Sequence, residues 1–260
     1  MPDSLGYRKY FGVVIPSVNT AAQPEFEAMR PPGVTNQTAR IHTPAIPLVD
    51  EVSFVTHVNN MRSGITAAVA QIVTCKPDHL IMGLSLETFW DGLEGSRELC
   101  ESLQRQAGCG VSMGSDAILA ALAAISGGPP GFASPATGRI RRIAILTPHP
   151  PLGNQKVRVF FAEAGYEVVR LLGLDFESAV AIARISEERL RRALIDVNGD
   201  DIDAIVQVGT NLPMARLAGE AERWLGKRVL AINTATYWHA LRQSKIDDKV
   251  QGFGSLMVEY

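Results

Sequence analysis

The stretch GVVIPSVNT, residues 12–20, joins a strand-like run to a polar turn. Its first five residues are apolar and three of them are β-branched, which is typical of a strand buried on both faces. Ser17, Asn19 and Thr20 follow, and these residue types favour the start of a helix. A strand that passes through a polar turn into a helix predicts a βαβ unit and a parallel sheet.

The same alternation continues along the chain. Short apolar runs separate segments of helical periodicity, which predicts an α/β fold with helices on both faces of parallel sheets. The predicted strands are Tyr10 to Ile15, Gln37 to His42, His79 to Met82, Gly110 to Met113, Arg142 to Leu146, Glu167 to Leu172, Ala204 to Val208 and Arg228 to Ile232. The predicted helices are His57 to Val73, Leu93 to Gln106, Ser115 to Ile125, Asn154 to Ala164, Glu187 to Ile195 and Pro213 to Leu225.

The two halves of the chain resemble each other. Three pairs of strand-to-helix turns match, residues 12–20 with 144–149, 82–86 with 208–212, and 111–115 with 231–234. This duplication predicts two pseudo-symmetric, doubly wound lobes with four-stranded parallel sheets and a cleft between them. The charge-free segment Ser126 to Gly138 is rich in Gly and Pro, and we interpret it as the connection between the halves.

The composition is that of an ordinary globular protein. The 260 residues are 46% hydrophobic and 20% charged, and the net charge of −2 argues against a nucleic-acid surface or an anionic membrane as the partner. The first ten residues are polar, and no stretch is long and apolar enough to cross a bilayer, so we expect neither a signal peptide nor a membrane span. Cys75, Cys100 and Cys109 match no metal-binding spacing, which favours reduced thiols in a cytoplasmic protein.

The candidate site lies where the predicted strands end. Ligands of open parallel sheets bind beyond the carboxyl ends of the strands, where helix N-termini present unpaired N–H groups to anions. In the turns 83–85 and 209–211 a glycine lets a ligand approach the backbone, and the next N–H groups can form an oxyanion hole. The simpler alternative is that these glycines only shape the turns and that Asn19 only caps a helix.

One histidine stands out among these turns. His149 directly follows a predicted strand and precedes a helix start, a position suited to an acid, a base or a carboxylate ligand. Pro148 and Pro150 stiffen its turn, although an exposed loop histidine is the alternative. Asp116 and Glu87 fall in first helical turns, where we expect them to stabilise the helix dipole, with Asp116 as a further candidate for the site.

Several familiar chemistries lack their motifs. The sequence has no GxGxxG after a strand, no GxxxxGK[ST] loop, no GxSxG elbow, and no HExxH or Cys/His cluster. We therefore expect neither a cofactor nor a metal.

At these turns the sequence resembles the aspartate/glutamate racemase superfamily, most closely the branch of maleate cis-trans isomerases and arylmalonate decarboxylases. The resemblance covers nearly the whole chain and rests on the order and spacing of residues 12–20, 82–85, 209–212 and 231–241. It implies that two lobes enclose the substrate and that the C-terminal segment returns to the first lobe. The implied lobes are 1–125 together with 232–260, and 126–231.

The resemblance also places two catalytic cysteines, one in each lobe, of which the decarboxylases keep only the second. Both positions are glycine here, Gly83 and Gly209, so two-base racemisation and thiolate attack on an alkene lose their reagent. A family tyrosine that binds carboxylate falls at His149, which we interpret as a replacement acid or carboxylate ligand. Leu84 stands where the decarboxylases have threonine, and Ser85 matches a hydroxyl of the first oxyanion hole.

Three functions remain open at this point. The first is a cofactor-independent, cysteine-free lyase that decarboxylates a small mono- or dicarboxylate through an enolate-type intermediate. The second is an isomerase or racemase that uses His149 with Asp116, and the third is a non-catalytic carboxylate binder. Homo-oligomers are common among such enzymes, and the sequence leaves a homo-oligomer open. The expected catalytic residues are His149 and Ser85, and the expected substrate-binding residues are Asn19, Gly83, Leu84, Asn154, Gly209, Thr210 and Asn211.

Overall fold

The computed structural model describes residues 4–127 and 139–260. Most of the expected connection, residues 128–138, lies outside these ranges. None of the helices in the described ranges has the length and apolarity needed to cross a bilayer.

Two parallel sheets of four strands form the framework, and they repeat one topology. The first sheet has the order β2-β1-β3-β4 and the second the order β6-β5-β7-β8. The strands are β1 (Lys9–Pro16), β2 (Val34–Ile41), β3 (His79–Met82), β4 (Gly110–Ser112), β5 (Arg142–Thr147), β6 (Glu167–Gly173), β7 (Ala204–Gln207) and β8 (Arg228–Ala231). The α/β fold with two like, doubly wound sheets is therefore confirmed, and the first and third strands of each half lie side by side at its centre.

Helices cover both sheets. They are α1 (Ala22–Met29), α2 (Glu51–Ile72), α3 (Leu86–Phe89), α4 (Gly92–Ala107), α5 (Gly114–Ile125), α6 (Pro151–Glu163), α7 (Ala179–Ile182), α8 (Glu187–Val197), α9 (Ala215–Leu225), α10 (Ile232–Gln243) and α11 (Leu256–Glu259), with a 3₁₀ turn at Val73–Cys75. The predicted start of α2 at His57 is wrong because Asp50 and Ser53 form a capping box that begins the helix at Glu51. This earlier start places His57 well inside the helix.

Aromatic rings pack between the two halves of the chain. Phe89 of α3 meets Phe160 of α6 edge to face, with ring centroids 4.7 Å apart, and both rings are fully buried. Near the C-terminus, Tyr237 of α10 stacks on Phe26 of α1 at 5.5 Å. Helix α10 also packs on α5, β3 and β4. We propose that residues 232–260 belong to the first lobe, because α10 packs on elements of that lobe.

Candidate active site

A cavity of about 560 Å³, its open mouth included, lies at the carboxyl ends of the central strands of both sheets. One wall is apolar and includes Phe54, Met61 and Leu86, and no lysine or arginine of the described ranges lines the cavity. Its polar lining residues are Asn19, His57, Ser85, Glu87, His149, Thr210 and Asn211. An anion bound here must therefore be held by neutral donors.

Asn19 connects the start of α1 to the other half of the chain. Its Oδ1 accepts the N–H groups of Ala21 at 3.1 Å and Ala22 at 3.0 Å, which caps the helix. Its Nδ2 donates to Thr210 Oγ1 at 2.9 Å. Asn19 therefore lines the cavity, as expected, but its side chain already has partners within the protein.

The side chains of Thr210 and Asn211 also join the two halves. Thr210 Oγ1 donates to the carbonyl oxygen of Gly83 at 3.1 Å. Asn211 Oδ1 accepts the N–H of Thr20 at 3.0 Å, and its Nδ2 donates to the carbonyl oxygen of Ala179 at 2.7 Å. These bonds fix the position of one turn against the other. Both residues also line the cavity, and their binding of a carboxylate stays a prediction.

The turns 83–85 and 209–211 have backbone N–H groups that are free to bind a ligand. Among residues 4–127 and 139–260, no acceptor receives the N–H groups of Leu84, Ser85, Gly209 and Thr210, and all four residues line the cavity. The hydroxyl of Ser85 has no hydrogen-bond partner in the described ranges either. Each half thus has two adjacent, unengaged N–H donors on residues that line one cavity, as an oxyanion hole requires.

Both turn glycines lie where a side chain does not fit. Gly209 has φ +106°, and a Cβ added there would collide with the ring of Pro148. Its carbonyl oxygen accepts a hydrogen bond from Gln207 Nε2 at 2.8 Å. At Gly83 an added Cβ would collide with Ile15, and Gly83, unlike Gly209, does not line the cavity. Gly209 is therefore required by its backbone conformation as well as by the lack of space, whereas at Gly83 the Ile15 side chain occupies the space that a Cβ would need.

His149 reaches the cavity from the turn after β5. Its N–H donates to Thr147 Oγ1 at 3.0 Å, and the Thr147 hydroxyl donates to Asn154 Oδ1. Asn154 does not line the cavity, so the expected ligand instead lies behind the turn that carries His149. His149 Nε2 is buried without a partner and lies 3.8 Å from the point where a Cβ on Gly209 would be.

The imidazole of His149 is neutral at physiological pH. Burial, together with the nearby His57, lowers the pKa of His149 to about 3. A neutral ring can donate one hydrogen bond from Nε2 or accept one there, but it has no spare proton to release as an imidazolium would.

Two further titratable residues, His57 and Glu87, line the cavity, and neither was predicted to do so from the sequence. His57 Nδ1 and Glu87 Oε1 are buried without a hydrogen-bond partner. Burial lowers the pKa of His57. Burial also raises the pKa of Glu87 to about 7, against the opposing effects of a hydrogen bond from its own backbone and of Arg62. The spacing of Phe54, His57 and Met61 along one helix face was the signal that could have found His57.

Asp116 lies elsewhere. It lines a separate surface groove together with Cys100. The expected pairing of Asp116 with His149 is therefore wrong. All three cysteines lie in the described ranges, and none of them lines the cavity. Within those ranges no group of three or more His, Cys, Asp or Glu residues is arranged to hold a metal ion.

Solved structures of similar fold cover almost the whole chain. A cysteine-to-serine mutant of the maleate cis-trans isomerase of Nocardia farcinica, with a covalently bound succinylcysteine intermediate, has a TM-score of 0.82 at 19% identity and covers 97% of this chain and 99% of its own. A cysteine-to-alanine variant of the maleate isomerase Iso of Pseudomonas putida S16, with maleate, has a TM-score of 0.83 at 18% identity over 96% and 97%. A liganded double mutant of arylmalonate decarboxylase has a TM-score of 0.78 at 18% identity over 97% and 100%.

Sequence comparison gives a family as well as a fold. No curated protein matches the chain significantly. The sequence model of the arylmalonate decarboxylase family, however, matches residues 53–257, which is well over half of the chain. Matched residues include both turns with free N–H groups and His149. The chain therefore belongs to the arylmalonate decarboxylase family.

Proposed function

We propose that the protein is a lyase that decarboxylates a small dicarboxylate, such as a substituted malonate, through an enolate-type intermediate and without a catalytic cysteine. The observation that carries this proposal is the pair of unengaged backbone N–H groups that each half presents to one cavity, at Leu84 and Ser85 and at Gly209 and Thr210.

The reaction divides naturally between the two sides of the cavity. The carboxylate that stays is held by the N–H groups, which stabilise it further when it becomes an enediolate. The carboxylate that leaves lies against the apolar wall of Phe54, Met61 and Leu86. An ion that becomes neutral CO₂ loses its charge in the transition state, and an apolar wall favours that loss.

His149 serves here as a carboxylate ligand. Its buried Nε2 faces the cavity beside Gly209 and, in the Nε2–H tautomer, donates one hydrogen bond to substrate. Of the two roles expected for His149, the neutral ring favours binding over proton donation.

The alternative of an isomerase has less support in this chain. The similar maleate isomerase forms a succinylcysteine intermediate, whereas no cysteine of this chain lines the cavity. The cysteine-free variant of that function paired His149 with Asp116, and those two residues line different cavities.

The test is NMR in deuterated buffer with a panel of substituted malonates, maleate, and amino and hydroxy dicarboxylates. We expect loss of one carboxyl group from a malonate with deuterium at the adjacent carbon. Isomerisation or deuterium exchange without loss of carbon would make the protein an isomerase. Saturable binding of the same compounds with no reaction would make it a binder.

A further inference from the structure

Glu87 lies on a wall that two cavities share. One is the active-site cavity, and the other is a groove on the far side of α3, here called the outer groove, whose lining includes Arg62, Asp91 and Ser102. Glu87 is the residue that lines both of them. We propose that Glu87 is the acid that protonates the carbon after CO₂ leaves, and that a proton from the outer groove then reloads it. This inference rests on the proposed function.

The carboxyl group of Glu87 is buried, and one of its two oxygens has no hydrogen-bond partner in the described ranges. The residue is 4% exposed, and the unpartnered oxygen is Oε1. Its neighbours on α3, Leu86, Thr88 and Phe89, are buried as well, so the short helix lies inside the protein. The sequence predicted an acid that stabilises the start of its helix, and Glu87 does lie in the first turn of α3, but the structure also buries it. A buried carboxyl with an unpaired oxygen is costly and is often retained for function.

The charged groups around Glu87 do not prevent burial from bringing its pKa close to neutral pH. Across α2 and the start of α4 it faces His57, Arg62, Asp91 and Glu98. His57 is neutral because burial lowers its pKa, and Arg62 is already bonded to Asp91 at 2.6 Å. Burial therefore dominates and raises the pKa of Glu87 to about 7. An acid with this pKa can give up a proton and regain it near neutral pH.

The charged groups of the other helices packed against α3 lie outside both cavities. Asp116 of α5 lines a separate groove together with Cys100 and Arg97. Lys156 of α6 lies 5.3 Å over the ring of Trp90, and Glu163 of α6 accepts a backbone N–H of α4 at 2.7 Å. None of the three lines either cavity that Glu87 separates.

The proton balance fits this placement. When CO₂ leaves, the electron pair of the broken C–C bond stays on the carbon next to the retained carboxylate. The O–H bond of protonated Glu87 then breaks, its proton forms the new C–H bond, and its electron pair remains on the carboxylate. Each turnover thus consumes one proton. A substrate that fills the cavity blocks its mouth, so reloading from the outer groove lets the proton reach Glu87 from water on the other side.

The other unpartnered groups of the cavity are poorer donors. His149 and His57 are neutral, since burial lowers the pKa of both rings. A neutral imidazole releases a proton far less readily than a carboxylic acid does. Ser85 carries a free hydroxyl, and an alcohol is also a far weaker acid than a carboxylic acid.

The test compares Glu87→Gln with Glu94→Gln in the deuterium NMR assay. Glu94 is the matched control because it also lies in the first turn of its helix, is exposed, and lines neither cavity. We expect Glu87→Gln to lower kcat by about a hundredfold or more with little change in KM, and Glu94→Gln to leave both unchanged. Wild-type kcat should fall as the pH rises through about 7, because the acid form is required, and this fall should vanish in Glu87→Gln.

The failures of the two proposals are distinguishable. If wild type decarboxylates and Glu87→Gln matches it in rate and pH profile, the role of Glu87 is overturned while the function stands. If wild type releases no CO₂ from any compound, the function is overturned. Infrared difference spectra of wild type against Glu87→Gln then decide about Glu87 alone. A carboxylic-acid band that titrates near neutral pH and exchanges with heavy water supports it as the proton-holding group, and its absence overturns that role.

Discussion

The hydroxyl of Thr210 donates a hydrogen bond to the carbonyl oxygen of Gly83 across 3.1 Å. This bond joins the two turns whose backbone N–H groups face the cavity. The same hydroxyl accepts Asn19 Nδ2 at 2.9 Å, so one side chain fixes two segments of the first half against the second. The spacing between the two proposed oxyanion holes therefore depends on a side chain that need not touch substrate.

Thr210→Val should loosen this junction. The change keeps the side-chain shape but leaves Asn19 Nδ2 and the Gly83 carbonyl without partners, at a cost of about 1–3 kcal/mol of unfolding free energy. We also expect kcat/KM to fall, because the oxyanion holes lose their fixed separation. Urea denaturation and steady-state kinetics measure both effects. The control is Thr56→Val, whose hydroxyl only bonds the backbone of its own exposed helix turn. Equal stability of the two variants would show that the junction is unimportant.

Much of the fold could be predicted from the sequence, because short apolar runs and polar turns report local structure directly. The predicted strand His79 to Met82 matches β3 fully, and the others differ by a few residues at their ends. Helix α1 was missed because Ala22–Met29 is short and contains a proline. The start of α2 was placed six residues too late, because the capping contacts of Asp50 lie outside the apolar repeat.

The candidate site was predicted only where turns supply it. The turns 83–85 and 209–211 are continuous in sequence, and their free N–H groups follow from strand ends and glycines. His57 and Glu87 come to the cavity through tertiary packing of α2 and α3, which no local pattern reports. Charged residues are also seldom buried, so an acid such as Glu87 is assigned to the surface by default.

Gly209→Ala should destabilise the protein more than the same change at Gly226. At Gly209 the methyl group meets Pro148, and φ +106° is strained for any L side chain, so we expect a loss of about 2–4 kcal/mol. Gly226 also has positive φ, +61°, but has open space around it, so its alanine variant should lose only about 1 kcal/mol. Thermal or urea unfolding of the two variants compares them. A Gly209→Ala variant as stable as Gly226→Ala would mean that Pro148 moves aside readily, leaving room for a side chain at this turn.

Glu25 is a second buried carboxyl, and it lies behind the site. It accepts the N–H of Ala215 at the start of α9 at 2.8 Å and Asn233 Nδ2 at 2.6 Å. Burial raises the pKa of Glu25 to about 7 against these hydrogen bonds. A carboxyl with a raised pKa in the folded state favours folding while it is protonated, and this contribution is lost as the pH rises from about 4.5 to 7.

The same reasoning applies to Glu87, whose pKa burial raises to about 7. The difference in unfolding free energy between Glu87→Gln and wild type should depend on pH for that reason. Glutamine resembles the protonated acid, so the two proteins should be similarly stable at pH 5. At pH 8 the wild type must bury a carboxylate, and the variant should be more stable by up to about 3 kcal/mol. Measuring the difference cancels the histidines, whose lowered pKa values act on both proteins alike. Urea unfolding at several pH values gives the curve, with Glu94→Gln expected to track wild type. A difference that does not change with pH would place the titration of Glu87 outside this range.

His149→Asn should weaken carboxylate binding. The variant removes the imidazole Nε2 that faces the cavity beside Gly209, and a hydrogen bond to a charged group contributes about 1.5–3 kcal/mol, or roughly tenfold to a hundredfold in Kd. Calorimetry with the monocarboxylate product measures this without turnover. The control is His42→Asn, since His42 is exposed at the end of β2 and does not line the cavity.

Kinetics then separate the two roles expected for His149. A ligand that holds substrate and transition state alike raises KM and leaves kcat nearly unchanged, whereas an acid lowers kcat. If His149→Asn lowers kcat but leaves product binding unchanged, His149 rather than Glu87 is the proton donor.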